Sequence, residues 1–504
     1  MEKRLILAIA LSLAVLLSWS ILTPKPQTID NTIVTQQKTL TATSVALIQS
    51  PAVLAEPQTK EYAPLPYSHN AVDLIFLEQQ AAIKEVVFKK LAGYKLALKY
   101  GFLLDGEPLS FKKESSSPNE IVFVQSDHNK KIIKRFTFSD SYGFRLDIVL
   151  QNMSNLPISL NESLLLGAIE FSKTAQAQYQ DAVIGQKDKI LHFNVHKDRI
   201  LPEVNFVGLR DRYFCAIIEP ASGNWQGFVH KVNPQESIIG LNSKEVSLAP
   251  GQRIEQQFRI YLGPQDLRTI NSINPAWTGI IYYGTFDFIA QILLQLLEFF
   301  YKLVHNWGWA IVILSLAVYL ALYPLTLKQM RSMKEMQVLQ PHIEELRGKY
   351  KDDPKKLNAE TMKLYQEHKV NPFGGCLPLL LQMPIFFALY QTLMRSIALR
   401  GAKFLWIKDL SQPDRLFLLP LSLPILGSEI NILPILMAIG MFVQQKTSAT
   451  SAASSSPEQQ KMMLIMMPLI FGIIFYRMPA GLTLYWFINS ALMLFCQLRI
   501  KSIK

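Results

Sequence analysis

Two kinds of hydrophobic pattern divide the chain. From Glu61 to about Pro264 apolar residues come in short, often alternating runs, among them LIFL, EVVFKKL, EIVFVQ, KIIKRFTF, FRLDIVL, KILHFNV, YFCAIIE and RIEQQFRIYL, separated by Gly, Asn, Asp, Ser and Pro. Repeated short strands with turn residues between them predict a large antiparallel β-sandwich over 61–264. From Trp307 onward the runs lengthen. WGWAIVILSLAVYLALYP is an apolar stretch of about 17 to 19 residues, which as a helix covers roughly 26 to 28 Å and predicts a membrane span over 307–325.

The flanks of that span extend the picture in both directions. Before it, over 284–304, Gln291, Gln295, Glu298 and Lys302 share one helical stripe while Ile289, Ile292, Leu293, Leu296 and Phe300 lie largely opposite, which predicts an amphipathic helix in the outer interface. After it, Pro324 marks a place for a kink or stop, and 326–371 reads as a cytoplasmic hairpin of two charged helices, with a turn at Lys351 to Pro354 that Asp353 caps. Four more spans are expected at 377–397, 431–444, 462–477 and 482–498. Between them, 416–430 reads as an outer, partly interfacial loop, 445–461 as a Ser-rich inner loop and 499–504 as a basic tail. At the amino end Lys3 and Arg4 precede an apolar run, read as an uncleaved anchor over 1–22, followed by a flexible linker over 23–60.

Composition and charge agree with this division. A hydrophobic fraction of 49% in 504 residues suits a part-membrane protein of two or more domains. The net charge of +12 collects beside apolar helices and in the hairpin, which favours membrane orientation over a nucleic-acid substrate. Excess Lys and Arg at the amino end, the hairpin and the tail places both termini inside. Arg395, Arg400, Lys403, Lys408 and Arg415 dissent, because alternation of the spans puts them outside. The three cysteines, Cys215, Cys376 and Cys496, are too scattered for a disulfide framework or zinc site. His192 and His196 stand four apart in a strand-like segment, about 13 Å along it, too far to chelate one ion. No nucleophile motif, P-loop, GxGxxG, HExxH or intramembrane carboxylate pair occurs, so the chain is read as a non-enzyme without metal or cofactor.

The pieces NWGWAIVIL, YPLT, MQVLQPHIEELRGKY, KVNPFGGCLPLLLQMPIFFALY, FLWIKDLS, LPILMAIGMFVQQK and MPAGLTLYWFINS resemble the YidC/Oxa/Alb membrane protein insertases, in the form found in bacteria with two membranes. The resemblance covers roughly 282–504. It implies a bundle of six spans, five forming the core, joined to a periplasmic β-sandwich of mutarotase-like fold, all in the bacterial inner membrane. It also implies insertion of nascent membrane proteins from the cytoplasm through a lipid-open hydrophilic groove, with the Sec translocon, ribosomes, signal-recognition components and the lipid bilayer as partners. Polar residues within the spans mark the expected groove: Ser315, Tyr319, Gln382, Tyr485, Trp486 and Asn489, with Ser490 beside them. Lys328, Arg331, Lys334, Arg347, Lys349, Lys355 and Lys356 on the hairpin are expected to meet substrate or ribosome. Where the family carries a groove arginine this chain has Tyr319, which offers a phenol but no charge. The main competing reading is a polytopic small-solute transporter, which calls for an inverted repeat and broken midplane helices that the sequence does not show. A carbohydrate-binding outer domain on a mere anchor is a third.

Overall fold

A computed structural model describes residues 63–91, 93–105, 110–139, 141–160, 163–170, 180–187, 189–193, 197–233, 236–351, 353–368, 370, 377–423, 427–448 and 457–502. The expected anchor, the linker, His196, Cys376 and the middle of the Ser-rich inner loop, 449–456, lie outside them. The chain divides into two units, Met1–Ile281 and Tyr282–Lys504.

The first unit is a sandwich of two nine-stranded sheets. One runs from Pro64–Ser68 through Val72–Leu77, Ala82–Phe88, Tyr94–Gly101, Ser163–Glu170, Glu236–Asn242 and Gln226–Asn233 to Arg199–Leu201, with Leu104–Asp105 paired onto Ser163–Glu170. The other runs from Lys189–Phe193 through Asp181–Gln186, Phe206–Arg210, Phe214–Pro220, Arg253–Pro264, Gly143–Asn152, Lys130–Phe138 and Glu120–Ser126 to Lys112–Ser117. Every pairing in these two sheets is antiparallel. Alternation decides which side chains go inward. Along Lys130–Phe138 the residues Ile132, Lys134, Phe136 and Phe138 are buried and their neighbours are not. The faces meet through aromatic rings: Phe76 lies 5.2 Å from Phe136 and 5.3 Å from Phe123, and Phe88 stacks on Phe214 at 4.2 Å. Such rings supply large apolar area and favour tilted or offset contacts.

One inward position is a lysine. Lys134 has no exposed surface, and its Nζ donates to the carbonyls of Ala81 and Phe102 at 2.5 and 2.6 Å, so its charge is met by backbone dipoles. The unit also runs past the expected end at Pro264. Helix α1, Leu267–Ile273, is capped by Asp266, and a short 3₁₀ helix, Pro275–Ile280, is capped by Asn274. This tail is tied back by a buried network in which Arg210 donates to Asp181 and to the Ile280 carbonyl (2.9 Å), while His192 sits 3.3 Å from Asp181 and 3.2 Å from the Gly279 carbonyl.

The second unit is helical: α2 Asp287–Val304, α3 Trp307–Lys349, α4 Pro354–Glu367, α5 Leu377–Arg395, α6 Ile432–Ser448, α7 Pro457–Phe475 and α8 Ala480–Ser502. Two differences from the sequence reading stand out. Helix α3 does not stop at Pro324 but runs 43 residues through both Pro324 and Pro341, about 64 Å, so the span and the first arm of the hairpin are one rod. The segment expected as a loop at 416–430 is a hairpin, Phe417–Leu423 against Gly427–Ile430, whose register shifts between Leu418 and Leu423. Pro420 falls inside that shift, where it costs no ladder bond. Helices α3 and α8 each hold a window long and apolar enough to cross a membrane, while Ile432–Thr447 and Leu464–Phe475 are shorter apolar stretches. Helix α7 starts before the apolar run, at Pro457, so the helix is 19 residues, about 28 Å, while its apolar part, Leu464–Phe475, stays short.

Candidate functional site

Helix packing defines where a polar path can lie. Helix α8 packs along both α3 and α6, α6 carries α7, and α2 lies across α3 and α5, but α5 touches α3 and α8 only lightly. The junction of α3, α5 and α8 is therefore the open seam of the bundle. Glycines let other elements approach the helices closely. A Cβ on Gly308 would fall 2.0 Å from the Phe404 ring, and one on Gly472 would meet Ala438 at 3.2 Å.

The residues expected in the groove fall into separate settings. Gln382 on α5 donates from Nε2 to the Tyr485 hydroxyl on α8 at 3.1 Å, a polar bridge across the seam with Tyr485 fully buried. Trp486 joins Phe386, Phe471 and Phe475 in an aromatic cluster, 5.1 Å from Phe386 and 5.8 Å from Phe471. Asn489, a turn below Tyr485, is half-buried, and Ser490 is buried. Ser315 is buried and spends its hydroxyl on the Ile311 carbonyl of its own helix at 2.7 Å. Tyr319 packs with Met330 and Cys496 where α3 meets α8, with Leu492 and Met493 around them. Its buried hydroxyl has no hydrogen-bond partner among the described residues.

Below the seam, α3 and α4 form the hairpin. Asp353 accepts from the Lys356 amide at 3.1 Å and starts α4 at Pro354, and Leu339, Ile343, Tyr365 and Val370 make a small core between the arms. Lys328, Arg331, Lys334, Lys349, Lys355 and Lys356 are exposed and Arg347 is half-buried. Lys349 and Lys356 both approach the Tyr350 ring, at 5.6 and 5.1 Å.

Above the seam the chain builds a cap that the sequence reading did not resolve. Phe404 and Ile407 form a backbone bridge, Ala480 and Gly481 donate to the carbonyls of Gln412 and Leu410 at 2.7 and 2.9 Å, and Asn306 reaches the Lys403 carbonyl at 3.3 Å. Asp414, 2% exposed, accepts from the amides of Ile432 and Leu433 and from Trp406, so it caps α6 from a distant loop. Asn431 accepts from the Arg415 amide and donates to the Tyr476 carbonyl, both at 2.8 Å. Arg415, one of the dissenting cations, pairs with Glu429 at 2.9 Å. A lone Asp before a Pro-rich apolar segment carries no signal that it caps a helix eighteen positions later. Among the described residues no group of three or more His, Cys, Asp or Glu comes together as a metal site needs.

Two family models divide the chain between them: the YidC periplasmic domain over residues 105–296 and the 60Kd inner membrane protein over 299–504. The membrane protein insertase YidC of Pelobacter propionicus is 31% identical over 551 residues, covering 100% of this chain and 99% of that protein. The chain belongs to the YidC family of membrane protein insertases. The YidC of Paraburkholderia phymatum is 35% identical over 72% of this chain and 65% of its own length. Among solved structures, an active YidC insertase with its first transmembrane domain resolved is 21% identical, with a TM-score of 0.41, over 88% of this chain and 93% of that one. The fold of this YidC-family chain is accordingly an antiparallel β-sandwich periplasmic domain followed by a helical membrane bundle, and insertion of membrane proteins is its function.

Proposed function

We propose that this chain inserts hydrophobic segments of nascent proteins from the cytoplasm into the inner membrane along the α3, α5 and α8 seam, with the hairpin receiving the segment and the seam hydrating its short translocated tail. The reading rests on the Gln382–Tyr485 bridge, a hydrogen-bonded polar pair between two apolar helices that otherwise barely touch. A polar pair is retained in lipid surroundings at a cost, and one placed at a loose junction parts to let a chain through and exchanges its bond for water or substrate. Exposed apolar side chains on α6 and α7, among them Ile439, Ile465 and Ile474, face the lipid that receives the segment. The driving free energy is burial of apolar substrate in lipid, about 0.8 kcal/mol per CH₂, and requires no nucleotide. Six spans with both termini cytoplasmic, and the ribosome, signal-recognition components and Sec translocon as partners, complete the proposal.

The test is protease protection of a short-tailed single-span substrate in depleted cells that express Gln382→Leu with Tyr485→Phe at matched levels. Protection is expected to fall several-fold. Full protection with both groups removed would move the path away from this seam.

A further inference from the structure

The hairpin at 417–430 is built as no water-exposed hairpin is. From Leu416 to Ser428 the sequence LFLLPLSLPILGS contains no charged residue, and its only hydroxyls are Ser422 and Ser428. Neighbouring strand residues point to opposite faces, and here Phe417 and Leu418 are 58% and 73% exposed, so where the ribbon starts an apolar side chain stands uncovered on each face. Charge appears only at the base, where Arg415 pairs with Glu429. The base is also fixed in height. The Leu416 amide donates to the Ile430 carbonyl, Asn431 binds the Arg415 amide, and Asp414 caps α6 at Ile432 and Leu433. The ribbon is thereby continuous with the apolar outer surface of α6, where Ile435, Ile439 and Val443 are exposed.

We infer that this hairpin lies in the outer leaflet of the membrane, a lipid-embedded element beside α6 rather than an extramembrane loop. A protein partner would cover one face of a ribbon, whereas lipid accommodates two. A two-stranded ribbon has open edges, and unpaired N–H and C=O groups are expensive in hydrocarbon, so the hairpin sits at the headgroup and upper acyl level and not at the midplane. Pro420, within the strand Phe417–Leu423, brings no amide donor to those edges. Seated there, the hairpin displaces outer-leaflet lipid next to α6 and α7. The inference rests on the topology proposed above, which puts this end of α6 outside.

The experiment uses the full chain with Cys376→Ser, which leaves the buried Cys215 and Cys496, and a nitroxide on Leu418→Cys, reconstituted in phosphatidylethanolamine and phosphatidylglycerol nanodiscs. Collision with oxygen should exceed collision with a water-soluble nickel chelate several-fold at position 418. A label on Lys408→Cys in the cap should show the reverse. Nickel access at 418 equal to that at 408 would overturn the inference by placing the hairpin in water. Protection from both reagents would overturn it by placing protein, a second copy or a substrate, over the ribbon. Labelling of Lys403→Cys by an impermeant maleimide in spheroplasts separates the two layers of the argument. Failure there with a lipid-exposed Leu418 would sink the orientation of the bundle and the outer-leaflet assignment with it.

Discussion

Asp181 shows how a single residue carries a pH dependence. Burial pushes its carboxyl up, but the Arg210 guanidinium and hydrogen bonds from His192 and Arg210 outweigh that and hold it below the usual carboxylate range. A carboxyl with a lowered folded-state value stabilises the fold at pH above its unfolded value, near 3.9, and that contribution is lost as pH falls through the folded value. The first unit should therefore gain protease sensitivity in membrane vesicles as pH drops below about 4. Asp181→Asn should lose that step and be weakened at neutral pH by about 3 kcal/mol, because Arg210, 3% exposed, keeps its charge without its partner. Pulse proteolysis across pH reads both effects, and an unchanged acid profile in the variant would assign the step to other carboxylates. Little of this was legible in the sequence, since Asp181 and Arg210 are one pair among many until strand register sets them opposite each other. The polar residues of the spans were legible as types, because polarity in an apolar run announces itself. Their partners were not: Ser315 satisfies itself within α3 and Gln382 reaches another helix, and nothing in either local sequence distinguishes the two.

Elements were easier to read where periodicity is strong and harder where proline intervenes. Strands with alternating burial, the amphipathic α2 and the Asp353 cap appear where the pattern predicted them. On α2 the packed stripe is Ala290, Leu293 and Leu297, and Phe288, Ile292, Phe299 and Leu303 form an exposed apolar stripe, which suits a helix lying in the interface. Proline misled in two places. Pro324, a place for a kink or stop in the sequence, lies inside α3, which packs on other helices and continues through it, and Pro420 hid a strand that accommodates it in a register shift. Close helix approach gives the element-scale prediction. Gly308→Ala drives a Cβ into the Phe404 ring at the junction of α3 with the cap, and overpacking of this kind costs about 1–3 kcal/mol. Thermal unfolding in detergent should show the loss, and Phe404→Leu in the same chain should restore part of it. Equal stability of Gly308→Ala and the parent would mean that the cap shifts freely over α3.

At the scale of the whole molecule, the two units place different demands on a truncation. The residues of the proposed groove all lie in the second unit, so insertion should survive removal of the first. The boundary matters, because strand Arg253–Pro264 runs between Phe214–Pro220 and Gly143–Asn152 in the middle of its sheet, with Phe258, Ile260 and Tyr261 buried. Deletion of 63–281 should support growth of depleted cells, while deletion ending at Gly251 leaves that strand without neighbours and should be degraded. Stable, correctly localised protein lacking 63–281 that fails to support growth would give the first unit a direct part in insertion. The unbroken α3 has a mechanical side as well. Pro324 withholds the amide that would bond the Leu320 carbonyl, and Thr326 turns its hydroxyl back to the Leu322 carbonyl at 3.1 Å, so the rod has a compliant joint there, with a second proline, Pro341, farther along the arm. From that joint to Lys349 the arm is about 38 Å, and a ten-degree flexure swings its tip by about 7 Å. Load applied at the hairpin thus reaches the bundle as torque about Pro324, and the opposite arm, wedged by Gly308 against Phe404, is the fulcrum's fixed end.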